Sequence, residues 1–353
     1  IAALNDDMPF DQFTIEQLAG DLLPDATEAQ RIATGFHRNT QINQEGGIDV
    51  EQFRIDSVFD RVATTGTVWL GLTVGCAQCH DHKFDPISQR EYYQLFAFFN
   101  SQDEPTLEVS DARENQAELE ANLEAATQEL DAFIAEHDAD YQAWEQSLTS
   151  EQIGNMSAAL QQALKTSVVE RGAGQRRALF NVEVGKIDSD YQTLKQRFDT
   201  LSEGAKGVTT TLVLAESAQP RTTTVFIKGD FTRPADVVEP GTPSVLPPLF
   251  ATGTSGSDAV PNTHPNRLDL ARWIVSRDNP LMARVIVNRV WQVYFGRGLV
   301  ETENDFGSLG TPPSHPELLD WLAVEFQSNH WSLKELQRAI VMSQTYQQSS
   351  ADR

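Results

Sequence analysis

Between Leu119 and Leu148 the side chains that suit a core step by three and four residues, through Leu123, Ala126, Leu130, Phe133, His137, Tyr141 and Trp144. Only a helix keeps such a series on one face, so the run reads as the seam of a long amphipathic helix or coiled-coil arm. At 1.5 Å per residue it would span ~45 Å. Ile187, Tyr191, Leu194, Phe198 and Leu201 repeat the pattern, and Gly172 and Gly174 interrupt it between the two runs. The spacing predicts an antiparallel helical hairpin over residues 106–205. Glu114, Glu118, Glu120, Glu124 and Glu129 fall on or near its outer side and read as a solvated face.

The segments on either side are also helical in pattern. Residues 1–105 carry Phe10, Phe13, Leu18 and Leu22 at near-helical spacing, then one apolar face over Val50, Phe53, Val58, Phe59 and Val62. Thr27-Glu28-Ala29-Gln30 and Ser88-Gln89-Arg90-Glu91 have the form of capping boxes, the second opening a helix lined by Tyr92, Leu95, Phe96 and Phe99. An apolar stretch from Gly66 to Gly75 lies between them. In residues 206–250, Thr209–Ala215 and Thr222–Lys228 alternate in part and are separated by Ser217-Ala218-Gln219-Pro220, which predicts a small β-hairpin. Prolines, Gly and Ser crowd residues 233–265, and 251–265 reads as a linker. Residues 266–353 return to helical spacing, with Gly296-Arg297-Gly298 as a stop and Ser332-Leu333-Lys334-Glu335 as a cap. The fold class expected is mainly α: two helical domains linked by a helical hairpin and a small β element.

The chain has 353 residues, with 27 Lys and Arg against 51 Asp and Glu, for a net charge of −24. A surface that acidic repels a phosphate backbone, so nucleic acid is not an expected partner. No apolar run is long enough for a membrane-spanning helix. The first residues lack both a start Met and the charged and apolar regions of a signal peptide, so the sequence reads as an internal piece of a longer protein. No P-loop, G-x-S-x-G or H-E-x-x-H motif occurs. Glu45, Asp49, Glu51 and Asp56 lack the spacing of a calcium loop.

Both cysteines lie in one motif, Cys76-Ala77-Gln78-Cys79-His80. C-x-x-C-H is the attachment signature of c-type haem. Two thiols three residues apart on a tight turn can reach both vinyl groups on one porphyrin edge, and the next imidazole can bind iron as the proximal ligand. The alternatives are a zinc or other transition-metal site using Cys76, Cys79, His80 and His82, a redox-active dithiol, and a structural pair. His82 is too close in sequence to pass round the macrocycle, since two extended residues cover only ~7 Å. It reads as a second-shell group or alternative metal ligand. His37 is the candidate distal ligand, with Met8, Met282 and Met342 as sulfur candidates. A five-coordinate iron is the remaining option.

Several runs resemble a known family. Gly35-Phe36-His37-Arg38-Asn39, Glu45-Gly46-Gly47, Asp60-Arg61-Val62 and Cys76 to Ile87, with Tyr92-Tyr93 and Phe96-Ala97-Phe98-Phe99, resemble the second cytochrome-like domain of the large planctomycete cytochrome C proteins. Asn266 to Ala271, Val287-Asn288-Arg289-Val290-Trp291, Phe295 to Val300, Asp305-Phe306-Gly307 and His315 to Leu322 resemble their companion domain of unknown function. The resemblance covers residues 1–105 and 262–353 and implies export. It carries over to Cys76, Cys79 and His80. The function expected is an extracytoplasmic (periplasmic or cell-surface) c-type cytochrome module, with haem c as cofactor and a redox partner protein, basic to suit the acidic surface. Two other readings stand beside it. One is a metal- or haem-dependent oxidoreductase or carbohydrate-acting enzyme, and the other is a non-catalytic interaction scaffold.

Overall fold

The computed structural model describes residues 1–41, 45–182, 188–204, 210–250 and 264–349, with the backbone alone over 110–116. The chain divides into two compact units, Ile1–Leu107 with Thr211–Arg353, and Glu108–Thr210. The first unit opens with helices α1 (Ala2–Asn5), α2 (Phe10–Ala19), α3 (Glu28–Ala33), α4 (Val50–Thr65) and α5 (Gln89–Asn100). The second holds α6 (Ser110–Glu136), α7 (Asp138–Ser147), α8 (Ser150–Gly154), α9 (Ala158–Lys165), α10 (Ala173–Phe180) and α11 (Ser189–Gly204). The first unit resumes with α12 (Arg267–Ile274), α13 (Met282–Phe295), α14 (Pro316–Ser328) and α15 (Leu333–Val341). The protein is mainly α, and its sheets are two-stranded. Among the described residues no helix is long and apolar enough to cross a membrane.

In the first unit, local chemistry sets the helix ends. Both expected capping boxes form, at Thr27 and at Ser88, each satisfying two backbone donors that a helix start leaves unpaired. Beyond α4 the chain makes a π-helical turn over Gly66–Leu70 and stops at Gly71, with φ 59. A Cβ at Gly71 would stand 2.8 Å from Val285 and 2.9 Å from the Phe306 ring, so α13 and the loop after it close on the backbone there. Phe306 N–H donates to the Gly71 carbonyl at 2.7 Å. One hydrophobic core runs through both ends of the chain, joining Trp69, Tyr92, Phe96 and Phe99 with Leu270, Ile274, Val287 and Phe326.

The β element differs from the expected hairpin. β1 (Gln102–Asp103) pairs antiparallel with β2 (Ala215–Glu216), while β3 (Thr223–Phe226) pairs with β4 (Pro234–Val238). Among the described residues, 210–215 and 222–228 therefore do not pair with each other, and Thr209 lies outside the described residues. The end of α5 competes for the connecting loop. Ser101 accepts the N–H of Ser217 at its carbonyl and the N–H of Arg221 at its hydroxyl, and Arg221 Nη1 donates to the Asn100 and Gln102 carbonyls. The β3–β4 connection passes through Lys228 and Gly229, both at positive φ.

In the second unit α6 and α11 run antiparallel: Leu119 packs by Gly204, Glu129 pairs with Arg197, and Phe133 meets Tyr191. The expected ~45 Å helix is broken at His137, whose φ of −101 and ψ of 20 end α6. Its ring stacks on Phe133 at 4.1 Å and its Nδ1 bonds the Phe133 carbonyl at 2.9 Å. The seam turns there into α7, which brings Tyr141 and Trp144 onto a small core with Leu179, Phe180 and Tyr191. Arg171, buried in that core, donates to the Tyr141 hydroxyl at 2.6 Å and to both carboxylate oxygens of Glu145. Glu118, Glu120, Glu124 and Glu129 are exposed. The Glu114 side chain and Ile187 lie outside the described residues.

Candidate functional site

The motif sits on a 3-10 turn over Val74–Gln78. Val74 and Ala77 are buried and pin the turn, while Cys76, Cys79 and His80 are exposed. Both cysteines are free thiols. The start of α5 holds the turn from behind. The Gln78 carbonyl accepts Gln89 Nε2 at 3.0 Å and the Tyr93 hydroxyl at 3.1 Å, and Asp81 Oδ1 accepts the Gln89 N–H at 2.8 Å. Gly229 closes on the Cys79 side, where a Cβ would stand 2.8 Å from the sulfur. Burial pushes the Tyr92 and Tyr93 phenols well above their ordinary range, helped by the Cys79 thiol nearby.

The three candidate histidines differ in what their ring nitrogens can do. His80 Nδ1 lies 2.7 Å from the Asp81 carbonyl, which can only accept, so Nδ1 carries the proton and Nε2 keeps a free lone pair. His82 is the reverse. Its Nδ1 accepts the Asp85 N–H at 2.8 Å, closer than the 3.5 Å to the Asp85 carboxylate, so the proton is on Nε2 and the Nδ1 lone pair is used. His82 thus organises a tight loop. Its own N–H donates to the Ile87 carbonyl, and Asp85 Oδ1 accepts the Ser308 N–H at 2.6 Å from the C-terminal region.

His37 is buried among Phe36, Trp69 and Phe99, with ring centroids 5.1, 5.9 and 5.1 Å away. Burial, with Arg61 and Arg267 adding to it, lowers its pKa to about 3, and its Nε2 has no hydrogen-bond partner. Among the described residues no hydrogen bond, ion pair or ring contact joins His37 to Cys76, Cys79 or His80. His37 packs by Phe99 and the motif by Tyr93, six residues apart on α5, or ~9 Å along its axis. Of the sulfur candidates, Met282 is buried and Met342 is exposed. Among the described residues no group of three or more His, Cys, Asp or Glu side chains is disposed to hold a metal ion, so Cys76, Cys79, His80 and His82 do not converge as a closed ligand set.

The donor chemistry at Cys76, Cys79 and His80 fits a covalently held haem: two accessible thiols, and an imidazole whose distal nitrogen is free because a backbone carbonyl holds the other proton. Sequence reasoning did not find Gly229, Gln89 or Tyr93 as supports of the motif. They come from other segments, and nothing in the local pattern marks them.

Residues 1–104 match the family model PSCyt2, a protein of unknown function (DUF1549), and residues 266–353 match PSD1, a protein of unknown function (DUF1553). No curated protein and no solved structure matches the chain.

Proposed function

Because this chain belongs over residues 1–104 and 266–353 to the PSCyt2 and PSD1 families of planctomycete cytochrome C proteins, we propose that it is an extracytoplasmic c-type cytochrome module within a larger redox protein. Cys76 and Cys79 would hold the haem, each S–H adding across one of its vinyl groups to leave a thioether, and His80 would offer its Nε2 to the iron. The observation that carries the reading is the hydrogen bond from His80 Nδ1 to the Asp81 carbonyl, which leaves the Nε2 lone pair available to bind a metal. When bound, the haem supplies one-electron exchange. The chain's own residues hold it: Ala77 and Val74 anchor the turn, and the doubly hydrogen-bonded Gln78 carbonyl keeps the two thiols in register. With a net charge of −24 the surface favours a basic redox partner.

The test uses protein matured in a host that attaches haem c. The expected result is a c-type pyridine haemochrome that survives acid–acetone extraction, with one haem on the peptide holding Cys76 and Cys79. Two free thiols in protein from its natural host would end this reading. Zinc without iron would favour the metal-site alternative, and neither cofactor would favour the interaction scaffold.

A further inference from the structure

We propose that Asp305–Ser308, in the region matched by PSD1, is a clasp that fixes the shape of the loop carrying Cys76, Cys79 and His80, with Asp85 and Gly307 as positioning residues. The clasp grips this loop at both ends. Before the motif, Phe306 N–H donates to the Gly71 carbonyl at 2.7 Å, and the Phe306 ring lies so close that a Cβ on Gly71 would stand 2.9 Å from it. After the motif, Ser308 N–H donates to Asp85 Oδ1 at 2.6 Å. The two donors are two residues apart, so at most ~7 Å separates them. Residues 72–84 could extend over ~45 Å, and these two bonds close them into a short loop.

The clasp is held by its own bonds. Thr302 Oγ1 donates to the Asp305 carbonyl at 2.7 Å, and Asp305 Oδ1 accepts the Gly307 N–H at 2.9 Å. Arg289 Nη2 donates to Asn304 Oδ1 and to the Thr67 carbonyl, both at 2.9 Å, which ties the clasp to the π-helical turn leading into the loop. On the loop side Asp85 is buried, and among the described residues no Lys or Arg pairs with its carboxylate. A buried carboxylate is costly without N–H donors, so Ser308 is what keeps it in place. The Asp85 backbone is locked as well: its N–H goes to His82 Nδ1, and its carbonyl accepts the Ile87 N–H, both at 2.8 Å. The grip therefore passes through His82 to His80. Gly307 has no room for a side chain, since a Cβ would stand 2.5 Å from Asp85 Oδ2.

The clasp's hold on the backbone and thiols stands with or without haem, while its bearing on the cofactor rests on the cytochrome reading above. In the haem-free chain, Asp85→Ala is expected to quicken hydrogen exchange over residues 72–84 about 5–30-fold, as loss of one buried hydrogen bond does. Alkylation of Cys79, whose sulfur Gly229 covers on one side, should quicken relative to Cys76. Asp85→Asn keeps an acceptor for the Ser308 N–H and is expected to restore both readouts. Gly307→Ala should reproduce the Asp85→Ala change, and the double variant should be no worse than either single. Ile340→Ala, in the remote α15, lowers stability but leaves the Cys79 to Cys76 ratio as in the wild type. Wild-type exchange over 72–84 with a wild-type ratio in Asp85→Ala and Gly307→Ala overturns the clasp, and Gly307→Ala alone decides where Asp85→Ala does not fold. With haem attached, Gly307→Ala is expected to lower the share of chains bonded through both thiols, and a wild-type share overturns the clasp's bearing on the cofactor. A wild-type chain that takes up no haem overturns the cytochrome reading, and the haem-free measurements still decide the clasp.

Discussion

His80 and His82 are two residues apart, and their hydrogen bonds assign them opposite work. His80→Ala touches no buried group and should leave stability within about 0.5 kcal/mol, while on the proposed haem reading the variant would lose the spectrum of nitrogen ligation. His82→Ala orphans the Asp85 N–H and should cost ~1–3 kcal/mol in urea denaturation, with thiol chemistry at Cys76 and Cys79 retained. Equal losses in the two variants would contradict these roles. His37 makes a different prediction. Its folded pKa of about 3 lies below its ordinary 6.5, so between those values the unfolded chain binds the extra proton. Stability from this group is complete above pH 6.5 and declines as pH falls toward 3, at up to ~1.4 kcal/mol per pH unit. Urea midpoints at pH 7.5 and 5 should therefore diverge less in His37→Phe than in the wild type.

Elements in this protein end where side chains compete with the helix for backbone. At His137 a ring stacked on Phe133 ends α6, and Arg171, in the segment after α9, then ties α7 through Tyr141 and Glu145 to α9 through the Ala163 carbonyl. Arg171→Ala leaves Glu145 without its partner and should cost about 3 kcal/mol. Hydrogen exchange should quicken across α7 to α10 and stay unchanged in α5. The β3–β4 turn is the second such place. Gly229→Ala meets both a φ of 77 and the Cys79 sulfur, for a loss of ~1–3 kcal/mol. Pairing it with Cys79→Ala removes the steric part, so the double variant should lose less than the sum of the singles.

Across the whole molecule, two buried arginines tie distant segments of the first unit. Arg267, with no exposed side-chain surface, donates to both Asp21 oxygens at 3.0 and 2.7 Å and to the Leu18 carbonyl, and lies 3.3 Å from Glu216. Arg61 donates to the His37 carbonyl and pairs with Glu104. Arg267→Ala leaves Asp21 and Glu216 facing each other in low dielectric and should cost ~3–5 kcal/mol. Because residues from both ends share one core, tryptophan fluorescence and exchange in α5 should then weaken together. Loss confined to α12–α15 would contradict a shared core. The sequence by itself determined the mainly α class, the capping boxes at Thr27 and Ser88, the paired apolar seams and the C-x-x-C-H turn, because periodicity and caps act within a few residues. Only the tertiary structure decided that β1 and β3 take separate partners, that the long seam bends at His137, and how the histidine protons divide between His80 and His82. Those outcomes depend on groups brought together from far along the chain, such as Arg221 on the end of α5 and Gly229 on Cys79, and on which of several nearby acceptors comes closest. Local sequence carries no record of either.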